Sequence, residues 1–89
     1  MNSKTFSQRF NRELALLDFP DELSEKIVAV SKVFEVKRHI ANAMIFGQIL
    51  PAEDQLIKIA RILDVCPQWL GGATDKKRAF PEKELMETE

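Results

Sequence analysis

Residues 23–47 read LSEKIVAVSKVFEVKRHIANAMIFG, and the spacing of apolar residues in this stretch decides the fold. Leu23, Ile27, Val30 and Phe34 recur in steps of 4, 3 and 4, which puts them on one face of a helix because side chains three and four positions apart lie above one another. Asp21 and Glu22 precede the run and suit the positive end of a helix dipole. A helix over roughly 21–34 is expected. Val36, Ala41, Met44 and Ile45 then form a shorter stripe that stops at Gly47, a residue suited to the left-handed position after a helix. Only Glu35-Val36-Lys37 separates the two stripes, with no Pro, Gly or Ser cluster, so the helices must be joined by a tight turn of about three residues.

The same period extends in both directions. Phe6, Phe10, Leu14 and Leu17 step 4, 4 and 3. Thr5 and Gln8 have capping-box spacing ahead of most of this run, and Phe19-Pro20 ends it because the residue before Pro is pushed out of the helical region. After Pro51, the residues Leu56, Ile59, Ala60 and Leu63 define a further helix with Glu53 and Asp54 in its first turn. Cys66-Pro67-Gln68-Trp69-Leu70 gives Pro a place at the first helical position, and Gly71-Gly72 closes a short last turn anchored by Trp69. The expected fold is all-α: a compact bundle of four to five short helices occupying residues 1–72. From 73 to 89 the composition turns to charge, with Phe80, Leu85 and Met86 as sparse apolar points and Pro81 interrupting any helix. This segment reads as a charged tail, mobile or ordered by a partner.

Composition bounds the function. The chain has 89 residues, 13 Lys+Arg against 14 Asp+Glu, 45% apolar and 30% charged side chains, the balance of an ordinary single globular domain. No apolar run approaches the ~18 residues that span a bilayer, and Met1 to Arg12 lacks the basic flank and apolar block of a secretory signal. A cytoplasmic location is expected. Cys66 has no partner for a disulfide, and one Cys with His39 does not make a tetrahedral zinc site without carboxylates or a second chain. It reads as a small buried or cap-position residue. No metal or cofactor is expected, and no Ser-His-acid set or Gly-rich phosphate loop suggests an enzyme. Near-neutral charge argues against a protein that coats polyanions indiscriminately. Within 31–48, however, Lys32, Lys37 and Arg38 face only Glu35, so the local balance is positive. Phe6, Phe10, Phe34 and Phe46 read as packing residues because at least three of them lie on core stripes, with base-stacking as the alternative. Lys76-Lys77-Arg78 reads as solvent-exposed, with a phosphate or minor-groove arm as the alternative.

Residues 21–47 meet the packing needs of a helix-turn-helix, in which the first helix braces the second. Ser31 is the small residue at the helix crossing, Val36 seals the turn, and Ala41 and Met44 face inward. The outward residues are Lys37, Arg38, His39, Asn42 and Ala43. The chain from about 6 to 72 resembles the lambda-repressor-like helix-turn-helix domains, a family that includes phage Cro proteins. The resemblance is carried most by Gly47-x-x-x-Pro51, Leu56, Ile59-Ala60, Leu63, Val65, Trp69-Leu70 and Gly72. Glu35 stands where the family often has Gly, Lys37 where it commonly has Ser or Thr, and Ser31 where it prefers Ala. A strained turn and a poorly capped second helix are therefore expected.

The resemblance implies a transcriptional regulator of repressor type whose second helix enters the major groove of double-stranded DNA. Side-chain chemistry then assigns Asn42 to adenine, Arg38 or Lys37 to guanine, and Ala43 to a thymine methyl. Lys32 and Gln48 suit phosphates, and His39 suits either role. The plain alternative is a solvated helix face. A homodimer would set two such helices one DNA turn apart, about 34 Å, on a pseudo-palindromic operator. Trp69, Leu70 and Phe80, with Leu85 and Met86, are the dimerisation candidates because they are the apolar residues left after one core is filled. The competing reading is a protein-interaction module of the same fold, an antitoxin or adaptor, motivated by the unusual turn and by the acidic residues Glu82, Glu84, Glu87 and Glu89.

Overall fold

A computed structural model of the chain describes residues 1–81, and Leu85, Met86 and the acidic group from Glu82 to Glu89 lie outside the described residues. The regular structure is helical: α1 Ser3–Leu16, α2 Leu23–Val33, α3 Arg38–Ile45, α4 Glu53–Leu63 and α5 Pro67–Gly71. No described helix is long and apolar enough to cross a membrane.

The apolar stripes form the core. Phe6, Phe10 and Leu14 of α1 are completely buried, as are Val30, Ala41, Met44, Ile59, Ala60 and Leu70. The Phe6 and Phe10 rings stack with centroids 5.3 Å apart, and Phe10 meets Phe34 edge-on at 5.4 Å, so an aromatic ladder joins α1 to the end of α2. Helix α1 packs on α3 and α5, α2 on α3, and α4 on α5. Each large side chain buried in this way contributes about 1.5–3 kcal/mol of transfer free energy. Leu17 falls off the expected stripe. It caps the C-terminus of α1 and is 52% exposed.

The five helices of the described residues stop in the same manner. The residues at Asp18, Glu35, Gly47, Asp64 and Gly72 take positive φ, between 55° and 92°. In each case the next N–H reaches back five residues to a carbonyl: Phe19 to Leu14, Val36 to Ser31, Gln48 to Ala43, Val65 to Ala60 and Ala73 to Gln68. This is the bond of a Schellman ending, which satisfies carbonyls that the helix leaves open. Helix α1 therefore ends at Leu16, with the left-handed Asp18 turning the chain ahead of the Phe19-Pro20 stop. Its start also differs from the Thr5–Gln8 expectation. The Asn2 side chain accepts from the Thr5 N–H at 2.7 Å, so Asn2 is the cap and Thr5 is already helical.

Residues 73–81, the described part of the segment expected to be mobile or ordered by a partner, lie against the body as a strap. Arg9 donates to the carbonyls of Trp69 and Thr74 and pairs with Asp75 at 3.3 Å. Lys77 Nζ bonds Glu13 at 2.7 Å, where the carboxylate is nearly enclosed, and sits 5.2 Å from the Trp69 ring centre. The Cys66 N–H donates to the Arg78 carbonyl at 2.8 Å, and Phe80 is buried with its N–H directed at Asp64. The middle of the Lys76-Lys77-Arg78 run thus serves packing and is not a free basic arm. The folded unit extends past Gly72 to about Phe80.

Candidate nucleic-acid interface

The α2–α3 connection is built from Phe34, Glu35, Val36 and Lys37. Phe34 caps α2, Glu35 turns the backbone at φ +55°, and Lys37 is extended at φ −67°, ψ 152°. A left-handed conformation costs an L-residue with a Cβ about 1–2 kcal/mol, and a carboxylate beside a helix C-terminus faces the negative end of the dipole. The expected strain at Glu35 thus has a backbone angle behind it. Ser31 compensates. Its hydroxyl donates to the Val36 carbonyl at 2.6 Å while the Val36 N–H returns to the Ser31 carbonyl, and the half-buried Val36 side chain packs on the core. The small residue at the crossing therefore also stitches the turn.

Helix α3 begins at Lys37 with no side-chain cap, as the sequence suggests. Its other end is held firmly. The Ile45 carbonyl accepts from the Ser7 hydroxyl at 2.6 Å and from the Asn11 amide at 2.9 Å. Gly47 follows at φ +72°, so close to α1 that an added Cβ would stand 3.3 Å from the Ser7 Cβ. These two anchors on α1, Ser7 and Asn11, were not among the expected site residues. Polar residues four apart on α1 are the only local signal for them.

The predicted residues divide cleanly. Ala41 and Met44 are fully buried and Ile45 nearly so, which leaves the opposite face of α3 to solvent. Lys37, Arg38 and His39 are exposed there, Asn42 and Ala43 are partly exposed, and Gln48 is exposed just beyond the helix. Lys32 is exposed in the last turn of α2. Lys32, Lys37, Arg38 and His39 make no ion pair or side-chain hydrogen bond among the described residues. Glu35 is the one carboxylate between Lys32 and Gln48. Phe46, expected in the core, is instead 55% exposed. At the start of α2 the Glu22 carboxylate accepts from the Ser24 hydroxyl and the Glu25 N–H, and these bonds hold its pKa below the ordinary glutamate value.

The expected dimerisation residues are occupied within the chain. Trp69 is 5% exposed, with Arg9 and Lys77 over its ring, Leu70 is fully buried, and Phe80 is 9% exposed under Arg61. The reasoning that they remain once one core is filled fails because the strap and α5 complete that core. Among the described residues, the large apolar side chains left open are Leu16, Leu17, Leu23, Val33, Phe46 and Ile62, with Met1.

The fold and this face define an all-helical chain in which a short helix, pinned at its C-terminal end and braced by its predecessor, presents cations and an amide to solvent. No family model, curated protein or solved structure matches the chain.

Proposed function

We propose that the chain is a sequence-specific DNA-binding transcriptional regulator of repressor type, folded like the lambda-repressor-like helix-turn-helix domains it resembles. Helix α3 enters the major groove, and two copies bind a pseudo-palindromic operator. The observation that carries this reading is the two-sided character of α3. Its apolar positions are sealed against α1 and α2, while Lys37, Arg38, His39, Asn42 and Ala43 share the open side. A rigidly held helix of this kind can present donors and acceptors in fixed register to base edges.

Within this reading Asn42 pairs with adenine, Arg38 with guanine, and Lys32 and Gln48 hold phosphates. Chain-wide neutrality leaves weak attraction for random DNA, so useful affinity depends on base contacts and on pairing of two copies. Selection from a random-sequence DNA pool, with light scattering of the complex, tests it. A two-fold-symmetric consensus bound by two chains is the expected result. A pool that yields no consensus, together with a co-purifying protein that protects the α3 face, would instead support the interaction-module reading.

A further inference from the structure

Resting on that DNA reading, we infer that Phe46 belongs to the reading surface and contacts the 5-methyl group of a thymine. Phe6, Phe10, Phe34, Trp69 and Phe80 are buried and Phe19 is partly buried, whereas the Phe46 ring is 55% open. An isolated exposed apolar residue needs no explanation, but the position of this one is specific. His39, Asn42, Ala43 and Phe46 follow the i, i+3, i+4, i+7 spacing that places four side chains along one helix face. The backbone of Phe46, at φ −91° and ψ 2°, stays close enough to helical to continue that stripe.

The backbone on either side of Phe46 is held in place. The preceding carbonyl, Ile45, is bonded by Ser7 and Asn11, and the following Gly47 is pressed against α1. An apolar ring at the end of a stripe of hydrogen-bonding side chains suits a surface that is polar with a few apolar points. The major-groove edge of DNA has that character, and the thymine methyl is its apolar feature. Lys37 and Arg38 at the start of the same helix supply the charge that suits flanking phosphates. Phe46 would add an apolar determinant beyond Ala43, displaced by one helical turn.

The test uses the full chain and the duplex recovered by selection, with each thymine replaced in turn by deoxyuridine, which lacks only the methyl group. At one thymine per half-site the natural chain should lose about fourfold in affinity, the equivalent of one buried methyl-sized group. Phe46→Ala should bind the thymine duplex at least fourfold more weakly and be indifferent to the exchange, and Phe46→Leu should keep part of the sensitivity. Circular dichroism of both variants should match the natural chain because the residue is outside the core. Sequence-specific binding that ignores every exchange, or a Phe46→Ala variant that keeps the full sensitivity, overturns the assignment and leaves the DNA reading standing. Loss of the two-chain state in Phe46→Ala without loss of methyl sensitivity overturns it in favour of an interface between copies. Equal binding of all duplexes removes the DNA reading and this inference together.

Discussion

Helices α1 and α2 are both amphipathic, yet they are held by different means. α1 buries Phe6, Phe10 and Leu14 completely, is capped by Asn2, and is tied to the strap through Arg9 and Glu13. α2 buries only Val30 completely, while Leu23 and Val33 are each 43% exposed. Its ends depend on local polar devices, the Glu22 carboxylate at one and the Ser31–Val36 stitch at the other. The difference teaches where stability resides. The α1 side rests on apolar burial and long-range contacts, and the α2–α3 side, which carries the candidate reading face, rests on fewer of them. Local opening should therefore begin at α2.

The hardest way to break this contrast is Phe10→Ala. Loss of a fully buried ring touching both Phe6 and Phe34 should cost about 3–5 kcal/mol, and thermal unfolding should show the whole chain melting earlier. Loss of hydrogen-exchange protection confined to α2 would show that α1 does not carry the core. On the other side, Arg38→Ala and Asn42→Ala should leave the melting temperature unchanged. Each should cost about 1–3 kcal/mol in binding to the selected DNA and relax preference at one base, while Lys32→Ala lowers the salt slope by about one. Equal losses on selected and scrambled duplexes would move recognition off α3.

Glu35→Gly sharpens the comparison from within the turn. Relief of the left-handed Cβ and of the charge at the helix end, offset by the added freedom of the unfolded chain, should stabilise the fold by about 1 kcal/mol. An unchanged urea midpoint would mean the turn carries no strain. The smallest effect is at Glu22. Because its folded pKa lies below the ordinary value, the stability it contributes is complete above the usual glutamate range and is lost as pH falls through the lowered value. Carbon-detected titration should place the Glu22 carboxyl below the ordinary glutamate value, and Ser24→Ala should move it back up.

What was legible in the sequence was local. The apolar stripes located α1 to α4, with Ala41 and Met44 inside as their stripe requires, and Pro67 with Gly71-Gly72 located α5, but nothing local showed that Leu70 would be used up within the chain's own core. Helix endings were legible only where Gly marks them. At Asp18, Glu35 and Asp64 the left-handed residue is acidic; Asp tolerates that conformation but is too common elsewhere to mark a helix end, Glu does not favour it, and only the family resemblance singled out Glu35. The Asn2 cap was hidden by a Thr5–Gln8 pair of equally good spacing. Phe46 is grouped with the packing phenylalanines although it lies on none of the core stripes, and its offset from Asn42 and Ala43 puts it on the outward one. The strap was invisible because its side-chain ties to α1 join residues more than sixty positions apart, and its nearer bonds, at Cys66 and Asp64, use the strap's backbone groups, which carry no sequence signal.

Those same bonds set the order in which the molecule can be completed. Arg9 finds Asp75 and Glu13 finds Lys77 across separations of 66 and 64 residues, and the Asn2 N–H is bonded to the Gly71 carbonyl. During synthesis on a ribosome α1 emerges well before α5 and the strap, so the helix with the most buried aromatic surface waits longest for its partners. Until then its phenylalanines are open to other hydrophobic surfaces, and a nascent chain stalled before residue 75 would be the form of this protein most in need of a chaperone.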